Sequence, residues 1–258
     1  MKTIVWEVNQ GIGRLTLNRP EVRNALNGEM FEEIQQVLAE ARERDEVRVL
    51  VLTGAGPVFC AGGDLREIQG LGPLGTRRLL NEKVRPLIQS LMLLDKPVIA
   101  SLNGPVAGAG IGVVLACDLV LASQDASFIP AFGKIGAMPD AAMIYFLVQH
   151  IGPKRIKELI FRGEPLSADQ AYSWGVYNRV VDRAMLEGLT AEWAEELATG
   201  PTLAMGLAKR AVRDALRMPF DAFMDLESAS QSLLHVSFDH REGIAAFLEK
   251  RRPEFQGT

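Results

Sequence analysis

The sequence contains few cysteines and histidines, and this shortage limits the chemistry that the chain can perform. Two cysteines and three histidines occur in 258 residues. Two cysteines cannot complete a zinc site without other ligands. Cys60 and Cys117 both lie within apolar runs, so we expect buried, reduced thiols rather than a disulfide. An apolar setting also raises the pKa of a thiol, which argues against Cys60 as a nucleophile.

Basic clusters and long apolar runs are also missing. The formal net charge is -4, and no basic block of five or more residues occurs; this argues against nucleic acid as the main partner. No apolar run reaches the length of about 18 residues that crosses a membrane. No charged region followed by a long apolar core stands at the N-terminus, so no signal peptide is predicted. We expect a cytoplasmic globular protein that has no membrane partner.

Periodic patterns predict strands and helices in alternation. Alternating residues at 3–8 and 12–17 predict a hairpin, and the apolar spacing from Asn27 to about Arg44 predicts a helix with Asn27 as its N-cap. Further strands are predicted at 47–53, 97–102, 119–122, 126–130 and 176–181. Further helices are predicted at 77–94, 140–149, 154–161 and 167–173. The polar segment 66–76 between them is predicted to be mobile.

The pattern changes near residue 184. From Met185 onward only helices are predicted, at 185–198, 202–215, 219–238 and 240–250. Strands that alternate with helices are typical of the α/β class. We therefore predict an α/β core over 1–184, which carries the functional site, and a helical C-terminal region over 185–258.

The segment Asn103–Asp118 carries the densest cluster of glycines. Gly104, Gly108, Gly110 and Gly112 follow a predicted strand and lead into an apolar helix. Free backbone N–H groups at the start of such a helix attract negative charge. Tight packing of the helix would need the same small residues, so this segment alone leaves both interpretations open.

Several motifs, in the same order along the chain, resemble the enoyl-CoA hydratase/isomerase (crotonase) superfamily over nearly the full length. These motifs are Leu17-Asn18-Arg19-Pro20, Asn24-Ala25-Leu26, Val51 to Gly54, Phe59 to Leu65, Lys96 to Ala100, Asn103 to Asp118, Gly163 to Ala171 with Trp174-Gly175, Val180-Val181-Asp182 and Arg241 to Phe247. The resemblance implies a spiral of repeated ββα units and a helical C-terminal trimerisation region. It also implies a homotrimer or a dimer of trimers, acyl-CoA thioester substrates, and no metal or redox cofactor.

The resemblance implies an oxyanion hole for the thioester carbonyl. Its two donors fall at the backbone N–H groups of Gly63 and Ala109. Fixed N–H donors stabilise the negative charge that develops on a thioester oxygen when a neighbouring proton is removed. The resemblance places substrate-binding residues at Arg23, Ala61, Asp64, Leu65, Phe132, Phe247 and Lys250, of which Phe247 and Lys250 come from a neighbouring subunit. Asp64 is expected to hold its loop through hydrogen bonds to the backbone rather than to take part in the chemistry. For Arg23 and Lys250 the alternative is a solvated charge, and for Phe247 it is a core position on a helix face.

The chemistry implied is isomerisation rather than hydration. The two glutamates that hydratases of this superfamily use fall at Gly112 and Phe132, which cannot transfer protons. Asp140 follows Gly136-Ala137-Met138-Pro139 and matches the proton-shuttling aspartate of the isomerase branch. The pattern resembles the ring-opening 1,2-epoxyphenylacetyl-CoA isomerases in particular. The alternative role for Asp140 is that of an N-cap or first-turn residue of the helix that follows, where aspartate is favoured.

Three further alternatives stay open from the sequence. Aromatic and aliphatic residues near the site, namely Phe128, Phe132, Ile135, Met138, Met143 and Phe146, either wall an acyl pocket or belong to the core. An atypical hydratase, hydrolase or dehalogenase is the second catalytic hypothesis, although no histidine lies in the region where the dehalogenases carry their base. A non-catalytic binding protein is the third, and the acidic composition argues against its RNA-binding form.

Overall fold

The computed structural model describes Met1–Thr258 as an α/β fold with nine strands and eleven α-helices. The strands are β1 (Ile4–Asn9), β2 (Ile12–Leu17), β3 (Val49–Gly54), β4 (Val98–Leu102), β5 (Val106–Ala107), β6 (Leu119–Ser123), β7 (Ser127–Ile129), β8 (Leu166–Ser167) and β9 (Arg179–Val181). The helices are α1 (Gly28–Glu43), α2 (Leu65–Ile68), α3 (Pro73–Leu79), α4 (Arg85–Leu93), α5 (Ala109–Leu115), α6 (Met143–Arg162), α7 (Ala168–Ser173), α8 (Arg183–Ala198), α9 (Thr202–Ala215), α10 (Phe220–His235) and α11 (Phe238–Glu249).

The larger sheet has six strands in the order β1-β2-β3-β4-β6-β9. The predicted hairpin is confirmed, since β1 and β2 pair antiparallel with Asn9 opposite Ile12. Gln10 and Gly11 in its turn have φ of 49° and 83°, the left-handed conformation that matches the twist of a two-residue hairpin. The remaining neighbours in this sheet pair in parallel.

Both faces of the larger sheet are buried, which explains why its central strands are continuously apolar. On β3, Leu50 and Leu52 belong to the main core. Val49 and Val51 point the other way and join a second apolar cluster that contains Leu186 of α8. Helix α8 therefore packs directly on the sheet, although it lies beyond the predicted boundary at residue 184.

Successive turns of chain repeat one pattern. Strand β4 belongs to the larger sheet, β5 belongs to a second sheet of order β5-β7-β8, and α5 follows. Strands β6 and β7 repeat this alternation between the two sheets before α6. The α/β class and the spiral of ββα units are thus confirmed. Assembly of the C-terminal helices with other copies stays a prediction.

Several predicted elements differ from the observed ones. Residues 66–76, predicted as a mobile loop, lie largely within α2 and α3, and a π-helical turn at Leu80–Val84 links α3 to α4. The two helices predicted at 140–149 and 154–161 are confirmed as two helical segments of α6, which are separated at Gly152 by a non-helical backbone conformation (φ 75°, ψ 166°) just before Pro153. The strand predicted at 176–181 is shorter in the structure, where β9 covers only Arg179–Val181. Val176 and Tyr177 precede it and are buried.

Beyond Val181 the chain contains helices only. Helix α9 is tied to the core by Lys209, whose Nζ lies 2.7 Å from Oδ2 of Asp118. The same Asp118 oxygen accepts a hydrogen bond from the Val98 amide at 2.8 Å. None of the helices is both long and apolar enough to cross a membrane.

Candidate active site

A buried asparagine holds together the loops that lead to the site. Asn24 is fully buried, and its Oδ1 accepts a hydrogen bond from the Arg19 amide at 2.9 Å. Its Nδ2 donates to the carbonyl oxygens of Ala55 at 2.9 Å and Val58 at 2.8 Å. Sequence reasoning recognised Asn24 only as part of a motif and did not find this role. The sequence did carry a signal for it: Asn24 is a polar residue next to the apolar pair Ala25-Leu26, at a point where the chain turns after a strand.

The two segments that carry Gly63 and Ala109 meet through glycines. A Cβ on Gly62 would lie 2.9 Å from the Ala107 carbonyl oxygen and 3.3 Å from the Gly108 Cα. Gly62 and Gly108 also have φ of 93° and 51°, values that favour glycine over every other residue. The glycines therefore bring the chains before Gly63 and Ala109 into backbone contact.

The amides of Gly63 and Ala109 both lack a partner. Neither N–H donates a hydrogen bond to another backbone group, and Ala109 is the first residue of α5, where no preceding turn supplies an acceptor. Phe132 is buried, and its Cζ would lie 4.0 Å from a Cβ on Gly108. The structure thus gathers Gly63, Ala109 and Phe132 at one place, as the resemblance implied.

The neighbouring substrate-binding candidates have structural contacts. Asp64 Oδ2 accepts hydrogen bonds from both terminal nitrogens of Arg19, at 3.1 and 3.2 Å. Asp64 Oδ1 also caps α2 by accepting from the Arg66 amide. The Arg23 carbonyl oxygen accepts from the Ala61 amide at 2.9 Å, while the Leu65 side chain is 58% exposed. Asp64 therefore shapes the loop, and Leu65 is open to contact with a bound molecule.

Asp140 lines a cavity of about 860 Å³. One part of the wall is apolar and comes mainly from the π-helical turn and α4, with Leu80, Val84, Ile88 and Met92, and from Met138. The other part is polar, with Arg85, Gln89, Tyr145, Arg213 and Arg217. Gly63, Ala109 and Phe132 do not line this cavity. Ala109 begins α5, and Gly112 of the same helix lies against the turn that follows Asp140.

The Asp140 carboxyl group is the one acidic side chain with a buried oxygen, Oδ1, that has no hydrogen-bond partner. Burial raises its pKa above the usual aspartate value. The other acid that lines this cavity is occupied, since Asp214 pairs with Arg213 at 2.8 Å. Asp140 is therefore the carboxyl group that is free to exchange a proton.

A tight turn follows Asp140. Ala141 and Ala142 have φ of 48° and 61°, and α6 begins only at Met143. The Met143 amide bonds to the carbonyl oxygen of Asp140 at 3.0 Å, while no side chain caps α6. The alternative role of Asp140 as an N-cap is thus wrong, and the helix predicted from residue 140 starts three residues later.

This turn packs against α5 at Gly112. A Cβ on Gly112 would lie 1.9 Å from the Ala141 carbonyl oxygen and 2.7 Å from its Cβ. The position where the resemblance places a hydratase glutamate therefore has no space for a side chain. Gly112 follows Ala109 by one turn of α5, so the Asp140 turn packs on α5 one turn away from the free Ala109 amide.

The remaining predicted residues lie elsewhere in the subunit. Phe247 is 83% exposed and lines a separate apolar cavity between α9, α10 and α11. Lys250 ends α11 in the left-handed conformation. Neither is near Gly63 in this chain, and a role for them in a neighbouring subunit stays a prediction. Of the predicted pocket walls, Met138 lines the Asp140 cavity, whereas Phe128 is fully buried in the core.

The two cysteines form no disulfide, and the potential metal ligands form no cluster. Cys60 and Cys117 are free thiols, as predicted, and burial raises the pKa of Cys60 to about 12. This keeps the thiol protonated and poorly nucleophilic. No three His, Cys, Asp or Glu side chains are grouped so that they could hold a metal ion.

Comparison with known proteins identifies the family of the chain. The profile of the family "Enoyl-CoA hydratase/isomerase" matches residues 7–258. The chain is 41% identical to the 1,2-epoxyphenylacetyl-CoA isomerase of Escherichia coli K12, over 100% of this chain and 99% of that protein. It is 32% identical to the 2,3-dehydroadipyl-CoA hydratase of the same organism, over 100% of both chains.

A solved structure gives the same result. The crystal structure of an enoyl-CoA hydratase from Bacillus anthracis superposes with a TM-score of 0.92 at 32% identity, over 100% of both chains. The names of these relatives include both isomerases and hydratases. With its matching profile, its full-length relatives and its ββα spiral, the chain belongs to the enoyl-CoA hydratase/isomerase (crotonase) family.

Proposed function

We propose that this enzyme isomerises acyl-CoA thioesters through an enolate, either by moving a double bond or by opening an epoxide ring. The observation that carries the proposal is the free, partly buried carboxyl group of Asp140 in a cavity that is apolar on one side. The 41% identity to a 1,2-epoxyphenylacetyl-CoA isomerase supports it. Degradation of phenylacetate or of fatty acids is the metabolic setting that fits such a substrate.

The proposed mechanism uses two donors and one base. The thioester oxygen of a 3-enoyl-CoA accepts hydrogen bonds from the N–H groups of Gly63 and Ala109. Asp140 removes a proton from C2, and the electron pair forms a dienolate whose negative charge lies on that oxygen. Asp140 then returns the proton to C4, which leaves a C2–C3 double bond. No atom is gained or lost, and one carboxyl group acts first as base and then as acid.

The raised pKa of Asp140 suits both halves of this cycle. A carboxylate with an ordinary pKa is a weak base toward a carbon acid, and burial makes it a stronger one. Each oxyanion donor contributes about 3 kcal/mol to such reactions. For an epoxide next to the acyl carbons, the same flow of charge breaks a carbon–oxygen bond of the three-membered ring and leads to an expanded ring.

Hydration is less well supported than isomerisation by the residues at positions 112 and 132. It needs a group that activates water and a group that delivers the α-proton. Phe132 is apolar, and a side chain at Gly112 would overlap the Ala141 carbonyl oxygen, 1.9 Å from its Cβ. Position 112 cannot carry a glutamate while the Asp140 turn occupies its present place. These contacts favour isomerisation over hydration.

A substrate panel tests the proposal. Purified enzyme is mixed with 3-enoyl-CoA, 2-enoyl-CoA and 1,2-epoxyphenylacetyl-CoA, and the products are followed by absorbance and mass in light and heavy water. We expect conversion of the 3-enoyl or epoxide substrate, and loss of about 10³-fold in kcat for Asp140→Asn. An Asp140→Asn enzyme with undiminished isomerase activity contradicts the role of this residue.

The other outcomes of the panel identify the competing functions. Loss of the enoyl absorbance of 2-enoyl-CoA with a mass gain of one water marks an atypical hydratase. Absence of turnover on every thioester, together with retention on immobilised RNA, marks a binding protein. Either result overturns the isomerase proposal.

A further inference from the structure

The backbone after Asp140 adopts a conformation that its sequence does not favour. Ala141 and Ala142 both lie in the left-handed region, with φ of 48° and 61°. Single residues other than glycine rarely adopt this conformation, because it is energetically unfavourable for a residue that has a Cβ. Two in succession persist only where the surrounding structure holds them. The contacts that hold this turn therefore also determine where the Asp140 carboxyl group lies.

We infer that Gly112 is a positioning residue for Asp140, because the absence of its side chain leaves the space in which the Ala141–Ala142 turn sits. The inference rests on the proposed function for its catalytic consequence. Its structural part rests on distances alone: the Ala141 carbonyl oxygen and Cβ lie 1.9 and 2.7 Å from where a Cβ on Gly112 would be. Both positions are buried, so neither can turn toward solvent.

The overlap cannot be relieved by a small movement of a flexible side chain. The nearest atom is a backbone oxygen, and the backbone after it continues directly into α6 through the Met143 amide, which bonds to Asp140. A methyl group at position 112 must therefore push the turn away from α5 or push α5 away from the turn. In either case the distance between the Asp140 carboxyl group and the Ala109 amide changes.

The same contact explains how one helix selects a chemistry. A glutamate at position 112 and an aspartate on this turn would compete for the same volume, so the scaffold accommodates one or the other. Gly112 is therefore a determinant of reaction type that acts without touching substrate. Replacing the α-hydrogen of Gly112 by a methyl group should therefore disturb proton transfer more than thioester binding.

The first test is Gly112→Ala. We expect kcat, measured on the substrate that the panel identifies, to fall by about 100-fold, which is the typical loss when a catalytic group is displaced by about 1 Å. KM should change by less than about 3-fold, since the substitution removes neither of the two N–H donors at Gly63 and Ala109. The matched control is Gly206→Ala, a buried helical glycine of α9 whose Cβ would lie 2.5 Å from the Asp95 carbonyl oxygen. It carries the same kind of overlap outside the site, so it should lower stability without a specific loss of kcat.

The second readout does not depend on activity. Aspartate carboxyl groups are labelled with ¹³C, and the Asp140 resonance is assigned by its absence in Asp140→Asn. In the parent enzyme this resonance should titrate above the usual aspartate range, because the group is buried. In Gly112→Ala its midpoint should fall toward the ordinary value as water reaches the displaced carboxyl group. An unchanged midpoint together with an unchanged kcat overturns the inference.

These readouts separate the two proposals. A shifted Asp140 titration in Gly112→Ala, combined with full activity of Asp140→Asn, supports the positioning role and contradicts the proposed function. If Gly112→Ala does not fold, Ala142→Val and Ala142→Gly test the turn from its other end. Glycine adopts a positive φ and valine does not, so valine should shift the Asp140 midpoint and lower kcat relative to glycine. Equal behaviour of these two variants overturns the inference.

Discussion

The ionised Asp140 side chain destabilises the folded state, because its carboxyl group is partly buried and one oxygen lacks a hydrogen-bond partner. An ionised carboxylate loses favourable hydration under these conditions, and its raised pKa is the expression of that loss. A residue kept for stability alone would carry a partner, as Asp64 does with Arg19. Reactivity and instability thus have the same physical origin at this position.

This origin predicts that Asp140→Asn stabilises the protein at neutral pH, by on the order of 1 kcal/mol. The folded pKa lies above the unfolded one. The stabilising contribution of the protonated acid is therefore complete below the unfolded pKa and is lost as the pH rises through the folded pKa. The neutral amide escapes this loss. Urea unfolding at pH 7 and pH 4 measures the difference, which should shrink at the lower pH.

The control for this prediction is Asp225→Asn, which removes an exposed acid from α10. It should leave the free energy of unfolding within about 0.5 kcal/mol of the parent value. Equal stability changes in the two variants, or a difference that grows on acidification, contradict the conclusion that the ionised Asp140 side chain destabilises the fold.

The identity of Asp140 was accessible from the sequence, whereas its geometry was not. Pro139-Asp140-Ala141-Ala142 is a favourable start for a helix, since alanine has the highest helix propensity. Contact with Gly112 overrides that preference and places two alanines in the left-handed conformation. The sequence around Ala141 does not indicate a contact with Gly112, which lies almost thirty positions earlier in the chain.

At the scale of elements, prediction succeeded where the signal was local. Helix α1 has Asn27 as its N-cap, with the side chain accepting from the Met30 amide, as the sequence predicted. Helix α2 was missed because it has four residues and too few apolar positions to establish a period. Its start depends on Asp64, which Arg19 fixes from a distant part of the chain.

The start of α5 allows the proposed oxyanion donor to be removed with little change in the fold. Proline is well tolerated at the first helical position, because its missing N–H has no helical acceptor there. Gly108 before it has no Cβ to collide with the proline ring. We therefore expect Ala109→Pro to fold and to lose about 10²- to 10³-fold in kcat. The matched variant Ala109→Gly retains the N–H, so the ratio of the two rates isolates the donor. A ratio near one contradicts the oxyanion role.

Helix α9 offers a test of how the C-terminal helices are joined to the core. Lys209 lies 2.7 Å from Asp118, whose side chain is 27% exposed, and burial raises the pKa of Asp118 in spite of the lysine. Lys209→Met leaves this carboxylate without its cation and should cost about 2 kcal/mol at pH 7, between the values for exposed and fully buried pairs. The cost should fall at lower pH as Asp118 takes up a proton.

The neighbouring cation supplies the control. Arg210 pairs with Asp95 at 3.1 Å on the surface, with both side chains largely exposed. Arg210→Met should therefore cost less than about 1 kcal/mol. Guanidinium unfolding of both variants makes the comparison, and equal costs contradict the anchoring role of the Lys209–Asp118 pair.

At the scale of the whole molecule, the composition and charge patterns argued against membrane-spanning and nucleic-acid-binding classes, and the motif order predicted the spiral. The sequence could not locate the surface on which copies meet, since periodicity identifies an apolar helix face without naming what covers it. In the structure the exposed apolar side chains concentrate on the last three helices, where Val212, Leu216, Phe220, Val236, Phe247 and Leu248 are mostly exposed. Monomeric proteins rarely leave so much apolar surface in water.

This surface predicts that copies of the 28.2 kDa chain associate, and the resemblance implies a trimer or a dimer of trimers. Phe247, which is 83% exposed, should lie in the interface, and Phe247→Glu should reduce the mass measured by light scattering to that of the monomer. Met185→Glu is the control: this residue is 62% exposed but belongs to α8, which packs on the sheet of its own chain. It should leave the mass unchanged. A parent protein that is monomeric at micromolar concentration contradicts the prediction. In the Phe247 variant we also expect a higher KM for acyl-CoA, because the resemblance places Phe247 and Lys250 of one subunit against the CoA bound by the next.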